Sequence, residues 1–208
     1  MSQLKKYFVT GIGTDVGKTI CSAILVEALE ADYWKPVQAG SLDSTDMDKV
    51  KSLISNSKSV FHAEHYRLTQ PMSPHAASKF DHVSISLSDF KLPETNNTLL
   101  IEGAGGLMVP LNDQGDLIVD LIQHLDAEVI LISQNYLGSI NHTLLSIEAL
   151  KSRKLKIAGI IFNGPSNNET EEIILSISGL KCLGKIPQSE HIKPKFISEQ
   201  AAILKARF

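Results

Sequence analysis

The chain has 208 residues, 43% of them apolar and 21% charged, with a formal net charge of −3 at pH 7 and a pI near 6.2. This length suits one α/β domain over residues 1–208, large enough to bury a core without disulfides or metal staples. The charge balance leaves no electrostatic footprint for nucleic acid or an anionic membrane, and no apolar run reaches the roughly 20 residues that span a bilayer.

Short apolar runs alternate with helical spacing of apolar residues along the chain. Residues 7–10 predict a strand, 17–31 a helix, 33–37 a second strand and 46–54 a helix. The polar stretch 57–97, broken by Pro71, Pro74 and Pro93, reads as a long irregular segment and thus as a candidate substrate-binding region. Strands follow at 98–102, 128–133 and 156–163, with a short one near Cys182. Helices lie near 116–125, 139–152, 168–178 and 196–206. The later strands are continuous apolar runs rather than alternating ones, as expected when both faces are covered. Repeated βα units of this kind predict a doubly wound, mainly parallel α/β sheet with helices on both faces. Cys21 and Cys182 fit buried small hydrophobes in a reducing compartment. With no signal peptide before Gly11, the cytoplasm is the expected location.

The first strand runs into Gly11-Ile12-Gly13-Thr14-Asp15-Val16-Gly17-Lys18-Thr19, which opens the first helix. Strand, glycine-rich loop, Gly-Lys-Thr and helix in that order make a phosphate-binding loop of the P-loop nucleoside triphosphatase type. Backbone amides curl around phosphate oxygens and the helix N-terminus adds a favourable dipole. Lys18 is placed to bridge the β- and γ-phosphates and Thr19 to offer its hydroxyl to Mg²⁺, so the expected nucleotide cradle comprises Gly13, Thr14, Asp15, Val16, Gly17, Lys18, Thr19 and Ile20. Five residues separate Gly11 from Gly17, one more than the common spacing, and Ile12 stands where the first glycine is expected.

Lys35 ends the second strand in Trp34-Lys35-Pro36-Val37, and strand carboxyl ends face the ligand crevice in this architecture. Asp46 and Asp48 open the next helix, where helix-dipole complementarity alone would explain them. Met72-Ser73-Pro74-His75 reads as a Ser-Pro turn into a helix. Glu102-Gly103-Ala104-Gly105-Gly106 follows the third strand, where the carboxylate can hold Mg²⁺ opposite Thr19 and the glycines admit a ligand, although a plain tight turn has the same composition. Leu137-Gly138-Ser139-Ile140-Asn141-His142 opens a helix whose free amides suit a carboxylate, Ser139 being equally an ordinary N-cap. Asn163 ends the fifth strand with an amide that matches an adenine edge, or with simple turn chemistry. Pro187-Gln188 follows the last short strand, and the remaining histidines show no metal-ligand spacing.

In this order, from Tyr7 to Pro187, these motifs resemble the dethiobiotin synthetase family, including its lengthened phosphate loop, its Lys-Pro-Val segment and its Glu-Gly-Ala-Gly-Gly block. The resemblance implies an ATP-dependent cyclo-ligase that takes 7,8-diaminononanoate, CO₂ and MgATP through a carbamate and a carbamic-phosphoric anhydride to dethiobiotin, ADP and phosphate. It implies Lys18 and Lys35 as catalytic lysines, and Thr19, Glu102 and Asp48 (with Asp46 the alternative) around the metal. By the same resemblance Glu102, Gly103, Ala104, Gly105 and Asp48 lie on the nucleotide, and Asn163, Pro187 and Gln188 around adenine. Lys35, Ala39, Ser73 and Pro74 would line the diamine site, Ala39 replacing the family's usual hydroxyl residue. Gly138 and Asn141 would reach the substrate carboxylate of a neighbouring subunit, so a homodimer is expected, with neither nucleic acid nor membrane as partner.

Two related classes compete. The cobyrinate-type amidotransferases share the loop but carry a glutaminase domain, for which the stretch after Pro187 leaves no room. A nucleotide-switched partitioning or septum-site ATPase is the alternative from another class; it would carry a second lysine in a four-residue-spaced loop, where Ile12 and Gly13 stand.

Overall fold

In the computed structural model, which describes residues 4–208, the chain runs β1 (Lys6–Gly11), α1 (Lys18–Leu29), β2 (Asp32–Trp34), β3 (Val37–Ala39) and α2 (Asp46–Leu53). It continues through β4 (Phe61–His62), β5 (Tyr66–Leu68), α3 (Pro74–Phe80), β6 (Leu99–Gly106), α4 (Ile118–Leu125) and β7 (Glu128–Gln134). The last elements are α5 (Ser139–Ser152), β8 (Ile157–Asn163), α6 (Asn168–Ser178), β9 (Cys182–Ile186) and α7 (Pro194–Lys205).

Seven strands form one sheet in the order β4-β2-β6-β1-β7-β8-β9, every pair parallel. Alternate side chains feed opposite layers. Tyr7, Val9, Ile130, Ile132 and Ile161 pack with α1, α2 and α7, whereas Phe8, Ile101, Val129, Leu131 and Phe162 pack under α4, α5 and α6. Both faces are thus apolar, which is why β7 is buried at every interior position. The chain leaves β1 toward β2 on one side and passes from β6 to β7 on the other. The carboxyl end of β1 therefore opens onto the crevice where the strand order reverses.

Three expectations are corrected. The strand predicted at 33–37 is two strands, because Pro36 lacks an N–H and breaks the ladder: β2 joins the main sheet and β3 pairs with β5 in a separate two-stranded sheet. The stretch 57–97 is not irregular throughout; it supplies β4, β5 and α3. The third strand, expected over 98–102, runs on as β6 through the glycine block to Gly106. Glycine is required there at Gly103, since a Cβ would stand 2.7 Å from the Phe8 ring.

Candidate active site

β1 delivers the phosphate loop, and Ile12 keeps it tied to β7 through the hydrogen bond its amide donates to the Ile132 carbonyl (3.1 Å). Gly17, at φ +88°, turns the chain into α1 with no side chain capping the helix start, so the amides there remain open to an anion. Lys18 folds back over the loop and donates to the Gly13 carbonyl at 3.0 Å. Burial pushes its ammonium below the usual lysine range, and nearby Lys35 adds to that effect.

One residue on, Thr19 Oγ lies 2.8 Å from Asp46 Oδ1 and 3.0 Å from Glu102 Oε1. A single hydroxyl proton faces two carboxylates, so the three side chains form a convergent set of oxygen donors. β6 buries Glu102 to 1% exposure, and Tyr33 of β2 donates to its other oxygen at 3.0 Å. Lys35 enters from the Pro36 break, its Nζ 2.5 Å from Asp46 Oδ2 and 3.1 Å from Glu102 Oε1. Burial would discharge this ammonium, but the two carboxylates outweigh burial and hold its pKa above the ordinary value. Burial likewise pushes the Asp46 carboxyl up, yet Lys35 and Thr19 bring it below the usual range.

These groups stand at the floor of a cavity of about 880 Å³. Thr14, Asp15, Gly17, Lys18, Thr19 and Ile20 line one wall; Ala39, Ser41, Ser73 and Pro74 line another. Lys35, Asp46, Glu102, Ala104 and Gly105 are among the residues that line the space between the two. Gly13, Val16 and Gly103 are not among the cavity's lining residues. Asn163 sits at the end of β8 and donates to the Val16 carbonyl at 3.0 Å, which places its amide against the loop. β8 and β9 pair as far as Asn163 and Ile186, with one irregularity at Ile160–Ile161, so Pro187 and Gln188 follow directly beside it, both exposed. Gly138 and Asn141 are exposed at the start of α5 and line no part of the cavity.

Asp48 is a correction. Its Oδ2 accepts from the Thr45 amide (2.9 Å) and hydroxyl (2.8 Å), forming a capping box at the start of α2, and it turns away from Thr19. Asp46 is the carboxylate beside Thr19 and Lys35. The Thr45-x-x-Asp48 spacing was the signal that Asp48 was committed to the cap. Two further residues escaped the sequence reading. Lys49, one helical turn past Asp46, faces the cavity, and buried Gln38 donates to the Gly40 carbonyl at 2.9 Å beside it.

Gly17 is the tightest point of the loop: a Cβ would stand 2.1 Å from Asn163 Nδ2, at a φ that costs an L-residue about 1–2 kcal/mol. Gly17→Ala is expected to push Asn163 off the loop and weaken MgATP binding about tenfold, a calorimetric Kd being the check.

Residues 5–195 match the family model described as an AAA domain. The chain is 52% identical over 97% of its length to the ATP-dependent dethiobiotin synthetase BioD of Cytophaga hutchinsonii, covering 97% of that protein. It is 52% identical to that of Christiangramia forsetii over 98% of this chain and 97% of that one. Against the enzyme of Rhodopseudomonas palustris the identity is 41%, with 96% and 91% covered. Among solved structures it is similar to a putative plasmid partition protein of Borrelia burgdorferi bound to AMPPNP, with TM-score 0.61, 12% identity and 99% of both chains covered. It is also similar to the septum site-determining protein MinD of Pyrococcus horikoshii, with TM-score 0.55, 14% identity, and 98% of this chain and 90% of that one covered. At such identities the structural likeness speaks for the P-loop fold alone, so the partitioning-type alternative keeps the fold and nothing more.

Proposed function

The chain belongs to the dethiobiotin synthetase family, ATP-dependent ligases that close the ureido ring of dethiobiotin, and on that premise we propose that its substrates are 7,8-diaminononanoate and CO₂ alongside ATP. The observation that carries this reading is that a single cavity joins the phosphate loop to the Ala39, Ser73 and Pro74 wall across Lys35. A nucleotide phosphate and a second anionic substrate can meet there around one buried ammonium.

Thr19, Asp46 and Glu102 offer a hydroxyl and two carboxylates, the hard oxygen donors that suit Mg²⁺, and would hold it. Held by these residues, Mg²⁺ would supply charge neutralisation for the triphosphate. In our reading one substrate amine takes up CO₂ as a carbamate, and Lys35 steadies that anion. Lys18 and the loop amides orient the γ-phosphate for transfer to the carbamate oxygen, the bond to the β-phosphate oxygen breaking as ADP leaves. The second amine then attacks the anhydride carbon, phosphate departs and the ring closes. Phosphoryl transfer asks the protein mainly for alignment and electrostatics, so no covalent nucleophile is required. Ser73 and Pro74 would shape the diamine site, and Asn163, Pro187 and Gln188 the adenine end. Gly138 and Asn141 lie outside the cavity of their own chain, which suits a homodimer in which they serve the partner's substrate. No helix among the described residues is long and apolar enough to cross a membrane, and we place the enzyme in the cytoplasm.

Phosphate release from MgATP and bicarbonate, with and without 7,8-diaminononanoate and with mass detection of product, tests this directly. Release that requires the diamine and yields equimolar dethiobiotin is expected. Hydrolysis indifferent to the diamine would remove the substrate assignment.

A further inference from the structure

Outside the cavity, Glu171 of α6 is a buried carboxylate with no part in the chemistry above, 1% exposed. Its Oε1 accepts from Asn135 Nδ2 at 2.7 Å, the Asn167 amide at 3.0 Å and Ser166 Oγ at 3.2 Å. Its Oε2 lies 2.5 Å from Lys185 Nζ. Asn135 Nδ2 also donates to the Pro165 carbonyl at 3.0 Å. Burial pushes the carboxyl up, but Lys185, the Asn167 amide and Asn135 hold it below the usual range.

At the start of α6 Glu171 takes up the Asn167 amide, but the cap also rests on other groups. Asn167 caps the helix by accepting from the Thr170 amide, and Glu169 already supplies negative charge to the first turn. Oε2 has Lys185 as an ion-pair partner without a well-aligned hydrogen bond, and Asn135 Oδ1 is buried without a partner, so this buried charge is costly to hold. Its partners come from three chain segments at the carboxyl edge of the sheet. Asn135 follows β7, residues 165–167 continue the turn that begins at Asn163, and Lys185 stands two residues before Pro187.

We infer that Glu171 is a positioning residue for the base end of the nucleotide site, locking the turn after Asn163 to the end of β9 so that Asn163, Pro187 and Gln188 present one fixed edge to the purine. This rests on the reading of those three residues as the adenine end. Tripolyphosphate serves as a probe of the phosphate loop that carries no base.

Calorimetric Kd values for MgATP, MgGTP and tripolyphosphate on the full chain, with melting temperatures, make the test. Glu171→Gln is expected to raise the Kd for ATP about tenfold, of the order of one lost hydrogen bond to a charged group. The ATP-over-GTP preference should fall with it while tripolyphosphate binding stays unchanged. Asn135→Ala, which removes the Pro165 and Glu171 bonds without touching a charge, should shift the same ratio and carries the test if Glu171→Gln does not fold. A lowered melting temperature with an unchanged ATP-over-GTP ratio in the folded variants would reduce Glu171 to a structural residue and overturn the inference. A wild-type chain with no preference for ATP over GTP would instead overturn the adenine assignment beneath it.

Discussion

Lys35→Ala is expected to lower kcat for dethiobiotin formation by about 10³-fold while the Kd for MgATP stays within about threefold of wild type. The separation follows from where the ammonium sits. It bridges Asp46 and Glu102 at 2.5 and 3.1 Å, between the phosphate loop and the Ala39, Ser73 and Pro74 wall, and its polar partners are those two carboxylates rather than loop groups. Lys18 and the loop amides are left in place to bind the triphosphate. What the variant loses is the buried cation held between the two carboxylates, nearest to charge that moves from ATP toward the carbamate, while Lys18 stays with the loop. Lys35→Arg should not rescue it, because a planar fork needs more room than an ammonium wedged between two carboxylates. Product formation by mass spectrometry and nucleotide affinity by calorimetry give the two numbers. Loss of both together would move Lys35 from the transfer step to nucleotide binding.

The parts of this site that could be read from the sequence are those whose chemistry is local. The phosphate loop is one contiguous stretch, and Glu102 and Asn163 each end a long apolar strand, so their place at the crevice follows from strand polarity. Lys35 was legible for the same reason, although its strand was drawn too long: Val37 continues the apolar run, and only the missing N–H of Pro36 betrays the break. β4 and β5 were not legible. They are two and three residues long, include the polar His62 and Arg67, and owe their existence to parallel partners at Tyr33 and Val37, far back in the chain. The Glu171 network escaped for the same reason, since Asn135, Glu171 and Lys185 meet only once β7, α6 and β9 are assembled. Asp46 and Asp48 were decidable in principle. Two residues apart on a helix they face nearly opposite ways, and Asp46 shares its face with buried Val50 four residues on, whereas Asp48 shares its own with exposed Ser52.

That difference makes the pair a sharp test of the proposed metal site. Asp46→Asn keeps the side-chain shape but removes one of two carboxylates around Thr19, and a site built from few ligands depends steeply on each. The Mg²⁺ concentration for half-maximal rate is expected to rise about 10–100-fold, with kcat/KM at limiting metal falling by at least as much. The lost charge also leaves Lys35 with Glu102 alone, so part of the defect should persist at saturating Mg²⁺ as a lowered kcat. Asp48→Ala should do none of this. Its carboxylate serves the Thr45 amide and hydroxyl, so the variant should melt slightly earlier and keep the wild-type Mg²⁺ dependence. Rates titrated against Mg²⁺ for both variants, beside their melting temperatures, decide between the two aspartates. The reverse pattern, with metal dependence shifted by Asp48→Ala and untouched by Asp46→Asn, would require α2 to turn by about half a helical turn when the nucleotide binds.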